Sequence, residues 1–132
     1  LVRGRVKHAK GSINLPVGRH KTHRKKMSSN AQQGREALTT YEAIKRSDEF
    51  SCLRLFPKTG RTHQIRVHLA SIGHPLLGDK LYGGKIGQAG LEIPRHALHA
   101  HKLRLLHPQT GRTMIFESPL PRDMSSFFVE GS

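Results

Sequence analysis

A chain of 132 residues fits one domain, and a domain of this size buries about two-thirds of the surface that its unfolded chain exposes. Lysine and arginine number 23 against 9 aspartates and glutamates, so the formal net charge is +14 and the surrounding field is strongly positive. The expected partner is therefore a polyanion, with RNA or DNA first. The single cysteine, Cys52, excludes an internal disulfide, and no apolar run is long enough to cross a membrane.

The first part of the chain predicts short strands and one basic loop. Residues 1–20 alternate briefly between apolar and polar side chains and are broken by glycine and proline, which is typical of short strands joined by turns. A basic run without an apolar face follows, and by itself such a run predicts a solvated loop. Its cations are also the candidates for contact with phosphates: Arg19, Lys21, Arg24, Lys25 and Lys26.

Two longer strands are predicted next, over residues 36–46 and 50–56. The alternation in the second strand places Leu53 and Leu55 on one face and Cys52 on the other. Because only three residues connect the two strands, we expect an antiparallel pair.

The apolar spacing after residue 62 predicts a helix. Thr62 is the expected N-cap and Gly73 the expected stop. Arg66 directly follows Ile65, the first residue of an apolar stripe, and lies about 100° round the helix from it. Its guanidinium is therefore expected to extend from a packed helix and not from a flexible loop. The stripe consists of three residues at helical spacing: Ile65, Leu69 and Ile72.

The C-terminal part predicts a hairpin and a short helix. Residues 103–106 read as one strand, a Pro-Gln-Thr-Gly turn follows, and residues 113–117 read as the return strand. Arg122 and Asp123 open the helix, which we expect to extend through Phe127 and Phe128. The predicted fold class is α+β, with a mixed, mainly antiparallel sheet and one short motif-bearing helix.

Ten histidines raise the question of a metal site, and His99 and His101 would share one face of a strand. The chain has no cysteine pair and no His-Glu-x-x-His element, so we predict neither a metal site nor a cofactor. The glycines near residue 80 lack the order of a phosphate-binding loop. We interpret Asp79, which lies among them, as a turn or capping residue.

One stretch resembles a known family. Residues 60–68 read Gly-Arg-Thr-His-Gln-Ile-Arg-Val-His, followed by His-Pro at 74–75, Gly-Asp at 78–79 and Leu-Tyr-Gly at 81–83. In this order and spacing the stretch resembles motif III of the RluA/RluD-type pseudouridine synthases. Weaker similarity covers four further segments: residues 16–20, 37–41, 98–100 and 118–121.

The resemblance implies that the complete protein isomerises uridine to pseudouridine in structured RNA, with ribosomal RNA as the family's commonest substrate. No metal or organic cofactor is required for that reaction. The family's motif III arginine corresponds to Arg66, and it pairs with the catalytic aspartate and helps to keep it ionised and oriented. Arg61 and His63 join the basic run as expected RNA contacts.

The family's catalytic aspartate belongs to a His-Arg-Leu-Asp-x-x-Thr-Ser-Gly element, which does not occur in these 132 residues. We therefore expect residues 1–132 to be the C-terminal portion of a single catalytic domain and to be inactive alone. The partner would be the upstream half of the same domain. The expected location is the cytoplasm, or an organelle if a targeting sequence precedes the chain.

The sequence also leaves two other classes of protein open. One is a non-catalytic, basic RNA-binding module, which a His-Arg-Leu-Asp element upstream in the gene would exclude. The other is a histidine-based hydrolase or nuclease, which bound metal or RNA cleavage would indicate.

Overall fold

The computed structural model describes residues 1–19, 26–29, 34–83, 95–125 and 127. The chain divides into two compact units, Leu1–Ala97 and Leu98–Ser132. No helix among the described residues is long and apolar enough to span a membrane.

The first unit contains a four-stranded antiparallel sheet and a small two-stranded one. The strands of the larger sheet are β1 (Val2–Arg3), β2 (Lys10–Asn14), β5 (Leu38–Arg46) and β6 (Phe50–Pro57), in the spatial order β1-β6-β5-β2. The smaller sheet pairs β3 (Gly18–Arg19) with β4 (Met27–Ser28), also antiparallel. The prediction of an α+β fold with a mainly antiparallel sheet is confirmed.

The β5–β6 hairpin confirms the predicted antiparallel pair, but its side chains do not alternate as expected. Ser51, Cys52 and Leu53 are all buried, so both faces of this part of β6 are covered. One cover is the chain after β1, since the Ser51 hydroxyl donates to the Gly4 carbonyl at 2.8 Å and accepts from the Val6 amide at 3.1 Å. A strand buried on both faces loses the period of two on which the prediction rested.

The helix α1 (Gln64–Ser71) follows β6, and it corrects two predictions. Thr62 is not the N-cap, because that position belongs to His63, whose backbone is left-handed with φ 54° and which makes no side-chain capping hydrogen bond. The Gln64 side chain instead accepts from the Arg61 amide at 3.0 Å. The predicted stripe is also rotated, since Ile72 lies beyond the last helical residue and is 37% exposed. The buried residues of the helix are Gln64, Val67, His68 and Leu69.

The helix ends in a Schellman arrangement. The Gly73 amide donates to the Ala70 carbonyl at 3.0 Å, and the His74 amide donates to the Leu69 carbonyl at 2.9 Å. Gly73 has φ 85°, a left-handed conformation in which glycine carries no Cβ penalty. The expected stop at Gly73 is confirmed.

A small apolar cluster joins α1 to the β3–β4 region. Buried side chains of Val17, Ala37, Val67 and Tyr82 form it, with Met27 packed against it. Burial of such side chains is worth about 1.5–3 kcal/mol each for the larger aliphatic ones. This cluster places Tyr82 beside the helix that carries Arg66.

The second unit contains the antiparallel hairpin of β7 (Lys102–Leu106) and β8 (Thr113–Glu117), and the helix α2 (Arg122–Ser125). The predicted hairpin is confirmed, and its turn is closed by the His107 amide, which donates to the Arg112 carbonyl at 2.8 Å. The helix α2 covers Arg122–Ser125 and Phe127 has a 3-10 conformation, whereas Phe128, to which we expected the helix to extend, lies outside the described residues.

Candidate active site

Arg66 forms a bidentate ion pair with Asp79. Its Nε donates to Oδ2 at 2.9 Å and its Nη2 donates to Oδ1 at 2.8 Å. The Arg66 side chain is 16% exposed and that of Asp79 is 0% exposed, so solvent reaches the arginine and not the carboxylate. Such a planar, two-point contact fixes the direction of the guanidinium as well as its position.

Tyr82 lies against the same guanidinium. Its ring centroid is 5.0 Å from Arg66 Cζ and 5.7 Å from Lys26 Nζ, and both distances suit a cation–π contact. Its backbone amide donates to Asp79 Oδ1 at 3.3 Å. Asp79 is therefore a turn residue, as the sequence predicted, and it is also the ion-pair partner of Arg66.

The Tyr82 hydroxyl connects the cluster to the start of α1. It accepts from the Met27 amide at 2.9 Å and lies 2.7 Å from His63 Nδ1. Because the hydroxyl already accepts one proton, its own proton is free to be donated to His63 Nδ1. That direction requires a neutral imidazole at His63.

The electrostatics of the cluster agree with this assignment. Burial, and then the charge of Arg66, lower the pKa of His63 below its ordinary value. Burial alone would raise the pKa of Asp79, but the hydrogen bonds and charge of Arg66 outweigh it and the net shift is downward. The hydrogen bonds from Arg66 to Asp79 in turn raise the pKa of Arg66. Arg66 and Asp79 are thus both charged at neutral pH, while His63 is neutral.

A buried chain of hydrogen bonds anchors α1 to the sheet, beginning at Gln64. The Gln64 Oε1 accepts from Thr59 Oγ1 at 2.6 Å, and Thr59 Oγ1 accepts from the Leu38 amide at 3.1 Å. The Gln64 Nε2 donates to Thr39 Oγ1 at 3.0 Å. The side-chain amide of Gln64 is therefore satisfied on both sides.

The chain continues through Thr39 to His68. Thr39 Oγ1, which accepts from Gln64, lies 2.8 Å from His68 Nδ1. His68 Nε2 then donates to the Leu15 carbonyl at 2.8 Å. Because a carbonyl can only accept, His68, which is fully buried, carries a proton on Nε2. Both polar side chains on the buried face of α1 thus have partners, so the helix that carries Arg66 is fixed to the sheet.

The structure brings three of the predicted site residues together. Arg66, His63 and Lys26 all contact Tyr82. Arg61 lies at the start of the motif, where its Nε donates to the Glu36 carbonyl at 3.0 Å.

The remaining predicted contacts belong to the basic run. Arg19 is exposed in β3 and is paired in register with Met27, the neighbour of Lys26. Three predicted RNA contacts, Lys21, Arg24 and Lys25, lie outside the described residues.

Sequence reasoning missed two members of the cluster. Asp79 was assigned only to a turn, and Tyr82 had no assigned role, although each is essential to the geometry around Arg66. One signal for Asp79 was available, because it is one of few carboxylates in a chain of net charge +14 and lies only 13 residues from Arg66.

The histidines of the second unit make hydrogen bonds within that unit. His99 Nε2 and His101 Nδ1 both lie within hydrogen-bond distance of the Ser118 carbonyl, at 2.9 and 2.7 Å, so each carries its proton there. Among the described residues, no group of three or more potential ligands is placed to hold a metal ion.

Comparison with known proteins identifies the family. A family model described as RNA pseudouridylate synthase matches residues 2–71, which is more than half of the chain. The chain belongs to the RNA pseudouridylate synthase family. The resemblance of residues 60–83 to the RluA/RluD type is thereby confirmed.

Relatives within the pseudouridylate synthase family cover nearly the whole chain. A ribosomal large subunit pseudouridine synthase D of Nitrosomonas europaea is 45% identical over 121 residues, which are 88% of this chain and 35% of the relative. An uncharacterized RNA pseudouridine synthase of Synechocystis is 42% identical over 131 residues, 98% of this chain and 40% of the relative. The chain thus spans well under half the length of these relatives.

A solved structure of the pseudouridylate synthase family has the same fold. Human RNA pseudouridylate synthase domain containing 1 matches with a TM-score of 0.74 and 30% identity, over 89% of this chain and 51% of the human one. Human RNA pseudouridylate synthase domain containing 4 also matches, with a TM-score of 0.70 and 26% identity. The match covers 96% of this chain and 56% of the human chain.

Proposed function

We propose that the full-length protein is an RNA pseudouridine synthase that converts uridine to pseudouridine in structured RNA. The target base is flipped out of its helix, the C1′–N1 bond breaks, and the base rotates to form a C1′–C5 bond. A proton leaves C5 and N1 gains one, so the reaction is an isomerisation that needs no oxidant. Family membership supports this proposal, together with the geometry of Arg66.

The observation that carries the proposal is the fixed guanidinium of Arg66. In the proposed reaction Arg66 contacts the carboxylate that acts at the sugar, and it keeps that carboxylate ionised and oriented. An arginine suits this task because a planar fork binds a carboxylate at two points, which a lysine cannot do. Its helix is fixed to the sheet through Gln64 and His68, so little reorganisation is needed during the reaction.

We place the reacting carboxylate outside these 132 residues, in the upstream half of the same catalytic domain. Asp79 is not suited to act at the sugar. Oδ1 accepts from Arg66 and from the Tyr82 amide, Oδ2 accepts from Arg66, and the side chain is 0% exposed. A nucleophile needs an oxygen that can reach the sugar, and both oxygens of Asp79 are engaged and covered.

We propose ribosomal RNA as the substrate, bound through phosphate contacts by seven residues. Relatives named ribosomal large subunit pseudouridine synthase D support this substrate, and the cytoplasm is the corresponding proposed location. Contacts to phosphates fix the register of RNA without reading its sequence. The seven residues are Arg19, Lys21, Arg24, Lys25, Lys26, Arg61 and His63.

The test is to delete the gene and map pseudouridines in ribosomal RNA from the deletion strain and from its parent. We expect at least one site to lose its pseudouridine and to regain it when the gene is returned. The purified full-length protein should form pseudouridine at that site in an RNA transcript. An unchanged pseudouridine map, with no product on transcripts, would refute the proposal.

A further inference from the structure

Asp79 occupies only one edge of the Arg66 guanidinium. Its carboxylate receives Nε and one N–H of Nη2. In a planar guanidinium, Nη1 and the second N–H of Nη2 then form another two-point edge, which is directed away from Asp79. Arg66 can therefore bind a second carboxylate while it remains bound to the first.

Burial makes the two edges unequal. Asp79 is 0% exposed on its side of the pair, whereas Arg66 is 16% exposed. An anion that approaches from solvent can therefore contact Arg66 but not Asp79.

Tyr82 contacts both members of the ion pair. The Tyr82 amide donates to Oδ1, and the Tyr82 ring stacks near the guanidinium with its centroid 5.0 Å from Cζ. The carboxylate and the ring together define the plane of Arg66, which the helix alone would leave free to rotate about the side-chain torsions.

We propose that Asp79 is a positioning residue of the active site, which fixes the plane of Arg66 so that the outer edge of the guanidinium meets the reacting carboxylate. The inference rests on the proposed function, since it concerns the same reaction. Asp79 acts through Arg66 and touches neither the substrate nor the reacting carboxylate. The resulting arrangement is carboxylate, guanidinium, carboxylate, with the arginine in the centre.

The experiment compares three variants of the full-length protein in single-turnover kinetics, RNA affinity and thermal melting. Asp79→Asn keeps the side-chain shape and removes the charge, so we expect the rate to fall by about a hundredfold, the order found when a reacting group is misplaced. RNA affinity should change by less than about threefold, because a covered carboxylate does not face a phosphate. The control is Glu42→Gln, which breaks the exposed ion pair with Arg54, also 2.8 Å long, and should leave the rate unchanged.

Asp79→Glu keeps the proposal testable if Asp79→Asn does not fold. Glutamate retains the charge and the ion pair, but its extra methylene group displaces the carboxylate and the guanidinium that it binds. We expect a folded protein whose rate lies between those of wild type and Asp79→Asn. Near wild-type rates in both variants would overturn the proposal. So would a loss of rate that is matched by an equal loss of RNA affinity and early melting, because Asp79 would then be structural.

A readout that needs no activity separates this inference from the proposed function. The Nε–H of Arg66, assigned by its loss in Arg66→Lys, should give a sharp, restricted NMR signal in wild type and an averaged one in Asp79→Asn. If wild type forms no pseudouridine, the proposed function fails, and this signal still decides whether Asp79 holds Arg66. Equal mobility of Arg66 in both proteins would overturn the inference whatever the activity.

Discussion

The Oη of Tyr82 lies 2.7 Å from Nδ1 of His63, and the two rings meet edge to face at 84°. The hydroxyl accepts from the Met27 amide and can donate its own proton to Nδ1 of a neutral His63. In that arrangement Nδ1 carries no proton, and protonation of Nδ1 would require the Tyr82 hydroxyl to rotate and accept instead.

This contact predicts a pH dependence of stability. The pKa of His63 is lowered in the folded state by burial and by Arg66, while in the unfolded state it is about 6.5. Below about pH 6.5, His63 therefore binds a proton in the unfolded chain but not in the folded one. We expect the stability contributed by neutral His63 to be complete above that pH and to be lost as the pH falls towards the lower, folded pKa.

The measurement is urea unfolding of the full-length protein between about pH 5 and pH 8, for wild type and His63→Asn. Asparagine is chosen because it tolerates the left-handed backbone at this position. The free energy of unfolding should depend less on pH in the variant. His8→Asn, at an exposed residue, is the matched control, and an equal slope in all three proteins would contradict the prediction.

Arg66→Lys should abolish most activity in the full-length protein while its fold and RNA affinity persist. Lysine retains the charge but offers no fork, and lost orientation at a reacting group costs on the order of a hundredfold in rate. Arg54→Lys changes an exposed arginine in an ion pair of equal length and should react like wild type. Single-turnover kinetics with parallel melting curves check this. A near wild-type rate for Arg66→Lys would show that charge alone suffices, and early melting would indicate a structural role.

Thr39→Val should destabilise the full-length protein by about 1–3 kcal/mol, because His68 Nδ1 loses its buried partner and Gln64 Nε2 keeps only the Leu38 carbonyl. Its neighbour provides the control. Thr40→Val removes only an exposed hydroxyl contact of 3.5 Å to the Phe56 carbonyl and should stay within about 0.5 kcal/mol of wild type. Chemical denaturation measures both, and equal effects would show that the buried hydrogen-bond chain adds nothing to stability.

RNA binding should weaken steeply with salt. If the basic run makes about five phosphate contacts, the slope of log affinity against log salt is roughly −3 to −4 on single-stranded RNA. Neutralising the run, at Arg19, Lys21, Arg24, Lys25 and Lys26, should flatten the slope in filter-binding titrations. The control is neutralisation of Lys102 and Arg104 in β7. An unchanged slope in the variant with the neutralised basic run would indicate that the run is solvated and does not contact phosphates.

The 132-residue chain should form no pseudouridine by itself. Arg66 can orient a carboxylate but cannot replace it, and Asp79 is covered and fully engaged. The assay uses uridine-labelled ribosomal RNA, with circular dichroism to establish that the chain is folded. Clear turnover by the folded chain would contradict the prediction and would assign the reaction to a carboxylate within these residues.

Local features of the fold were predictable from the sequence. The β5–β6 pair followed from apolar alternation with a three-residue connection, the hairpin of β7 and β8 from a Pro-Gln-Thr-Gly turn, and the helix end from Gly73. Each signal involves residues that are neighbours in sequence. Thr62 misled because its hydroxyl suits a cap in isolation, whereas the structure gives that position to the left-handed His63.

Non-local features of the site were not predictable. Gln64 and His68 look like solvent-facing positions of α1 until Thr39, 25 and 29 residues away, is known to lie beneath them. The same holds for Arg66, whose partner Asp79 is brought to it by the turn after the helix. Motif spacing identified Arg66 as the site arginine, but the groups that fix the direction of its guanidinium depend on tertiary packing.

The buried hydrogen-bond chain under α1 also constrains how this sequence can change. Its hydrogen bonds connect the Leu38 amide through Thr59, Gln64, Thr39 and His68 to the Leu15 carbonyl. If one of these residues is replaced by a residue that offers a donor where an acceptor is needed, two buried donors face each other. A change of sequence in this chain therefore requires paired substitutions. Those pairs join β5 to α1. In an evolving population, substitutions in the sheet would therefore be coupled to substitutions in the helix that carries Arg66.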